Sequence, residues 1–371
     1  MKGEITIVDP WGKSGLDEYV ESYTDALLKI TPKVRIITNY FSTINPKQGI
    51  LLKKKFFRYS EKITKFKYLR LFIRGIEYSY TQFKIAFLIK SNIIHFQWFL
   101  YPTIDLLVIR HLKSRGKRVY YTAHNSKPHN STVPLGHIKL LKDVDLIFVH
   151  GKRIKNEIRK YGIKESKIVV IPHGSKHKYV TPNHETKPRE LKRFVFNRDN
   201  HTFLFFGLIN PNKGVLELLE MWDRITKCRE SLTLIVAGKT NPIIRKEILS
   251  HKNNAFIIDR FVSNEELAYL INRANLVLMP YKNGSVSGVL FTAAAFKKPI
   301  LTTDFGSISE YVVNNKTSFL ERNLKGFEKK LIKLSNLSVD SLNEIGYNNY
   351  SFIKEKCSTS KISRLIKKHY V

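Results

Sequence analysis

Lys213 closes a short loop, Gly207-Leu-Ile-Asn210-Pro-Asn-Lys213-Gly214, where an apolar run gives way to a helical pattern. Small residues let the backbone approach a ligand, and a lysine supplies a point charge for a diphosphate. The order Gly-Lys-Ser/Thr is absent, so this is no Walker loop. Farther along, Asn283-Gly284-Ser285-Val286-Ser287-Gly288-Val289 leads into a helical pattern that contains Thr292. Unpaired N–H groups at a helix start suit an anion, and Ser285 and Ser287 add hydroxyl donors. An ordinary serine cap accounts for the same letters. Two such loops in one stretch of chain favour a nucleotide.

The first half of the chain carries a different set. Ser14-Gly15 follows an apolar strand pattern and opens a helix, with Asp17 and Glu18 in its first turn. Those two acids either face a ligand or complement the helix dipole. His124-Asn125 and Pro172-His173-Gly174 each follow a strand pattern, and Gln97 closes another beside His95 and Trp98. A histidine at a strand's end can bond a hydroxyl or move a proton; it can equally be a loop residue with no task. The two cysteines, Cys228 and Cys357, are far apart, which excludes a disulfide scaffold and a cysteine metal cluster. No metal is expected, and a reducing compartment fits.

Elements must position these residues. Strand patterns at 4–8, 34–38, 93–97, 118–123, 145–150 and 167–171 alternate with helical ones, which predicts an α/β domain with a largely parallel sheet. The rhythm breaks over 179–201, a polar, proline-containing linker candidate, and restarts with strands at 202–206, 232–237, 255–258, 276–279 and 299–303. The expected organisation is a first domain at 1–178, a linker at 179–201, a second domain at 202–345 and a terminal helix at 346–371. Ligands of open parallel sheets lie beyond the carboxyl ends of the strands, so two such domains facing one another would share a cleft.

The chain carries 64 Lys and Arg against 31 Asp and Glu, a net charge of +33. The first 200 residues hold +23 of it. Leu52, Phe56, Tyr59, Ile63, Phe66, Leu69 and Ile73 recur at gaps of three or four among lysines, which predicts a basic amphipathic helix over 51–76. Such a helix can lie on an anionic membrane or simply face water. No motif for specific nucleic-acid binding is present. No run reaches the roughly 18 apolar residues of a membrane span, and the N-terminus lacks a signal-peptide pattern. The expectation is a cytoplasmic protein, peripheral at the inner face of the plasma membrane.

Taken in order, these motifs resemble glycosyltransferase family 4. The parts are Ser14-Gly15 through Val20, Val119 through Asn125, Val170 through Gly174, Phe205 through Gly214, and Pro280 through Pro299 to Glu310. The resemblance implies the GT-B fold, two Rossmann-like α/β domains facing across a cleft with C-terminal helices, the last crossing back to the first domain. It implies that Gly207, Asn210, Lys213, Ser285, Ser287, Gly288, Val289 and Thr292 hold a nucleotide-sugar donor, UDP- or GDP-linked, as substrate and with no cofactor. Ser14, Gly15, Gln97, Asn125 and His173 would meet the acceptor and the transferred sugar, with His124 or Asp17 as base.

The resemblance further implies a metal-independent hexosyltransferase of bacterial surface polysaccharide synthesis, acting on a lipid-linked or polysaccharide hydroxyl. Relatives often carry two glutamates eight positions apart, where this chain has Gly284 and Thr292, and an arginine where it has Leu208. Retaining and inverting outcomes therefore both stay open. So do two other readings: a non-catalytic partner of a transferase, and a polyanion-binding module.

Overall fold

The computed structural model describes residues 4–12, 15–125, 135–174, 185–196, 200–226, 232–251 and 254–370. The chain divides into two units, Met1–Lys176 with Cys357–Val371, and His177–Lys356.

Among its described residues the first unit holds seven strands: β1 (Ile5–Asp9), β2 (Val34–Asn39), β3 (Ile50–Phe56), β4 (Ile93–Phe96), β5 (Arg118–Ala123), β6 (Leu146–Val149) and β7 (Ile168–Val170). They lie in the order β3-β2-β1-β4-β5-β6-β7, every pair parallel. Helices α1 (Gly15–Leu27), α2 (Lys67–Leu88), α3 (Pro102–Ser114), α4 (Leu135–Asp143) and α5 (Lys152–Arg159) connect them. Strands covered on both faces read as near-continuous apolar runs, which is why β1, β4 and β6 are rich in Ile, Val and Phe.

The second unit holds β8 (His201–Phe206), β9 (Leu232–Ala237), β10 (Phe256–Ile258), β11 (Leu276–Met279), β12 (Ile300–Thr303) and β13 (Phe319–Glu321), again all parallel, in the order β10-β9-β8-β11-β12-β13. Its helices are α6 (Val215–Thr226), α7 (Arg245–Ser250), α8 (Asn264–Arg273), α9 (Gly288–Ala295), α10 (Leu324–Leu334) and α11 (Val339–Lys356). Sequence-encoded caps set several starts. Ser263 and Glu266 form a capping box on α8, and Asn323 caps α10 by accepting from Gly326 N–H.

Three expectations need correction. The stretch 51–76 is not one helix. Its first part is β3, an edge strand paired with β2, followed by a short 3-10 turn at Ser60–Lys62 before α2 begins at Lys67. Leu52 and Phe56 serve the strand, and the period that linked them to Tyr59 and Ile63 is fortuitous. The segment 185–196, expected as linker, is built into the second unit. Leu191 is fully buried, and Arg260 bridges Glu190 and Glu266 at 2.8 and 2.7 Å. The rest of 179–184 and 197–199 lies outside the described residues.

The C-terminal helix also starts later than residue 346. Helix α11 stays with the second unit, where Asn349 Nδ2 donates to Lys298 O at 2.9 Å. Only α12 (Thr359–Tyr370) belongs to the first, packing Ile362, Ile366 and Tyr370 against Tyr19, Tyr23 and Leu27.

Candidate active site

Both sheets reverse their winding at one place, between β1 and β4 and between β8 and β11. Ligands of such sheets bind beyond the strand ends at the reversal. In the first unit three histidines collect at neighbouring strand ends: His124 after β5, His150 after β6 and His173 beyond β7. One ring nitrogen from each lies within 4.8 Å of those of the other two. The Tyr19 ring of α1 packs on all three, with centroid distances of 4.9, 5.0 and 4.9 Å. Trp98 stacks on His124 at 4.6 Å and 13°. Gln97 Oε1 sits 3.2 Å from His124 Nε2, and His173 Nδ1–H donates to Gly174 O at 2.8 Å. Removal from water favours the neutral rings, so His173 is lowered to about 4 and His124 and His150 well below their usual range. Crowding by neighbouring imidazoles pushes the latter two the same way.

Asp17 is not poised as a base. It is 2% exposed and its carboxylate accepts from Ser42 Oγ (2.9 Å), Thr43 N (2.6 Å) and Thr43 Oγ1 (2.8 Å), tying the loop after β2 to α1. His95 does not line the site either. It is fully buried, with Nε2 2.8 Å from Thr122 Oγ1 and Nδ1 2.5 Å from the Tyr370 hydroxyl. It joins the sheet to α12.

In the second unit the loops after β8, β11 and β12 form one surface. Gly214 has φ 65°, and a Cβ there would lie 2.0 Å from Pro280 O; Gly306 has φ 49°, and its Cβ would lie 2.1 Å from Ser285 O. Only glycine allows both approaches. Asn210 caps the 3-10 turn Pro211–Lys213 by accepting from Asn212 N at 3.1 Å. That turn places Lys213 Nζ 3.6 Å from the centroid of Tyr281. Burial lowers the ammonium to about 8, and the aromatic face compensates part of the lost hydration. Phe305 packs beside Tyr281 at 5.0 Å, and the Tyr281 hydroxyl is 3.4 Å from Ser287 Oγ. Ser287 caps α9, accepting from Val289 N at 3.4 Å, and Ser285 O accepts from Ser307 N at 2.8 Å. A desolvated cation, a capped helix start and a serine-bearing turn share this surface. It suits a diphosphate.

Residues 20–177 match the description Glycosyltransferase Family 4, and residues 200–336 match Glycosyl transferases group 1. The chain belongs to the family 4-like glycosyltransferases. The capsular polysaccharide biosynthesis glycosyltransferase CapM of Staphylococcus aureus is 27% identical over 211 residues, 54% of each chain. The glycogen synthase of Mycobacterium tuberculosis is 24% identical over 185 residues, 48% of this chain and 42% of that one. The chain thus spans about half the length of the curated relatives it matches. Among solved structures, HepE of Anabaena in complex with UDP-glucose superimposes with TM-score 0.71 at 13% identity, covering 99% of both chains. Sucrose-phosphate synthase of Thermosynechococcus elongatus superimposes with TM-score 0.75 at 14% identity, covering 99% of this chain and 98% of that one. These fix the fold as GT-B.

For a family 4-like chain the expected residues divide cleanly. Asn210, Lys213, Ser285, Ser287, Gly288 and Val289 meet on the surface just described, and Gly207 follows β8 with φ 111°. Thr292 donates its hydroxyl to Gly288 O at 3.1 Å, so its proton serves its own helix. Gln97, His124 and His173 come together in the first unit, with Asn125 next in sequence; Gly15 opens α1. Ser14 lies outside the described residues. His150, Tyr19 and Tyr281 were not singled out. His150 stands at the end of a strand pattern, the signal that marked His124. The tyrosines carried no such signal, because their role comes from packing.

Proposed function

We propose that this protein transfers a hexose from a nucleoside diphosphate sugar, UDP- or GDP-linked, to a hydroxyl of a lipid-linked glycan or polysaccharide. The reading is carried by Lys213, held desolvated over Tyr281 beside the capped start of α9. The bond from the sugar's C1 to the diphosphate oxygen breaks, and a bond from C1 to the acceptor oxygen forms. The diphosphate gains negative charge as it leaves, which Lys213 and the α9 amides answer without a metal. The hydroxyl proton passes to His124, whose neutral ring has its Nε2 facing Gln97 Oε1 and its other nitrogen as acceptor. The UDP-glucose in the HepE structure and the capsule pathway named for CapM support this donor and acceptor class.

The acceptor's carrier is proposed to be a membrane with an anionic cytoplasmic face. No described helix is long and apolar enough to cross a membrane. Helix α2 nevertheless exposes Tyr68, Phe72, Tyr80, Phe87 and Leu88, with Phe66 exposed just before it, and a pocket of 450 Å³ beside β3 is lined by Arg35, Lys53, Lys55, Arg58 and Lys84. Aromatic groups next to lysines suit an anionic interface.

One observation favours a second reading, a non-catalytic partner: Gly284 and Thr292 supply no carboxylate for the donor sugar. Thermal unfolding with UDP, GDP, ADP and dTDP, followed by transfer assays with the responsive sugar nucleotides, separates the two. A ligand at 100 times its dissociation constant adds about 2.7 kcal/mol, or about 5–10 °C here. A shift with UDP or GDP and label transfer are expected. No shift with any nucleotide overturns the transferase reading, and a shift without transfer favours the partner protein.

A further inference from the structure

We propose that His124, His150 and His173 form a binding site for one zinc-class divalent cation in the first unit. The three rings come from three separate strand ends, yet a nitrogen of each lies within 4.8 Å of the others. Tetrahedral zinc with bonds of about 2.0–2.1 Å holds its nitrogens about 3.3 Å apart. Closing on an ion therefore asks for at most about 1.5 Å between any pair, shared by two side chains.

The surroundings are those of ligands rather than of idle core histidines. A metal-binding imidazole gives its other nitrogen to an oxygen, which fixes ring and tautomer. His124 has Gln97 Oε1 at 3.2 Å from Nε2, and His173 donates Nδ1–H to Gly174 O at 2.8 Å. Tyr19 and Trp98 wall the rings with aromatic faces, which limits their rotation.

The donor set also selects the ion. Three imidazoles suit Zn²⁺, Co²⁺, Ni²⁺ or Cu²⁺, whereas Mg²⁺, Ca²⁺ and Mn²⁺ prefer oxygen. The nearby Asp17 carboxylate is committed to Ser42 and Thr43. His150 is 2% exposed, His124 and His173 are half-buried, and no fourth His, Cys, Asp or Glu joins the cluster among the described residues. Three protein ligands and one open position is the arrangement of exchangeable rather than closed structural zinc. An imidazole nitrogen cannot both hold a cation and take a proton, so an occupied site would silence His124. That consequence rests on the proton-acceptor role proposed above; the binding does not.

Cobalt titration of the untagged full-length protein, stripped with chelator and dialysed, tests the site. We expect the intense visible absorption of tetrahedral cobalt, saturating at a single equivalent and bleached by Zn²⁺. His150→Ala and His173→Asn should each abolish the band. His201→Gln should keep it, since that ring lies in the second unit against Leu337 O at 2.7 Å. Far-UV melting of each variant separates loss of a ligand from loss of the fold. The wild-type titration decides independently of the variants: weak absorption or none at one equivalent overturns the site. So does an unchanged band in the folded variants.

Discussion

Lys213 has its ammonium over a tyrosine face, partly withdrawn from water, with no carboxylate paired to it among the described residues. A charge so placed is costly until an anion arrives. Its lowered value of about 8 gives a sign to the pH dependence. Below that pH the free protein presents a cation; above it the site is neutral and must take up a proton to meet a diphosphate. UDP affinity measured by calorimetry should therefore weaken as pH rises from 7 to 9. Lys213→Ala should lose about 1.5–3 kcal/mol of binding, about 10–150-fold, and the pH dependence with it. A flat profile in the native protein would remove Lys213 from the phosphate site. His124→Ala should lose turnover and keep UDP affinity; equal turnover in the two proteins would sink the proton-acceptor role. Both residues were legible in the sequence because strand ends and glycine turns mark positions where a parallel sheet presents side chains. The partners that tune them were not. His150 and His173 reach His124 only through the order β5-β6-β7, and Tyr281 reaches Lys213 only through the pairing of β8 with β11.

At the scale of elements, helix α2 is built the wrong way round for a helix that only packs. It buries Tyr78, Thr81, Gln82, Ile85 and Ala86, while Tyr68 is 84% and Phe72 66% exposed. Tyr78 and Gln82 bond Asp105 at 2.6 and 3.2 Å, so a polar cluster anchors the helix and much of its apolar surface is left outward. Together with Lys53 and Lys55 on β3, that surface should bind vesicles containing anionic lipid. Each lysine near such a surface contributes about 1 kcal/mol, so Lys53→Ala with Lys55→Ala should weaken sedimentation with vesicles about 30-fold, and salt should mimic it. Phe72→Glu should weaken it further. Binding indifferent to all three changes would leave α2 a merely solvated helix. This region was also where the sequence misled. An edge strand with one neighbour alternates only weakly, and three lysines in β3 mask a period of two. The buried strands, by contrast, were legible to within a residue or two, since runs of Ile, Val, Leu and Phe bounded by glycine or histidine have few other uses.

For the whole molecule, acid separates the two units. In the first, burial holds His95 down to about 3 and His173 to about 4, with His124 and His150 also well below the usual 6.5. Unfolding restores that usual value, so below about 6.5 the unfolded chain binds protons that the native unit refuses. Stability then rises with pH across this window and is lost as pH falls. At pH 5 the cost is about 2 kcal/mol for a group such as His95, and the other three histidines add to it. In the second unit the lowered groups that titrate in acid are carboxylates. Arg260 holds Glu190 at about 2 and lowers Glu266, and their contribution is present above about 4.5 and lost only below it. Mild acid therefore tests the first unit, where the four histidines are opposed by two buried carboxyls, Asp9 raised well above its usual value and Asp105 raised to about 7, whose neutral native forms gain stability as pH falls. With chelator present, urea unfolding between pH 6 and 5 should lose up to about 1.4 kcal/mol per pH unit for each neutral histidine in excess of the two raised carboxyls, Asp9 and Asp105. In a thermal scan the UDP-insensitive transition should fall by at least about 4 °C between pH 7.5 and 5. A pH-independent first unit across that range would mean that no more neutral rings than the two opposing carboxyls, Asp9 and Asp105, persist in the native state. The acceptor-side cluster would then have to be redrawn, while the diphosphate surface of the second unit would stand.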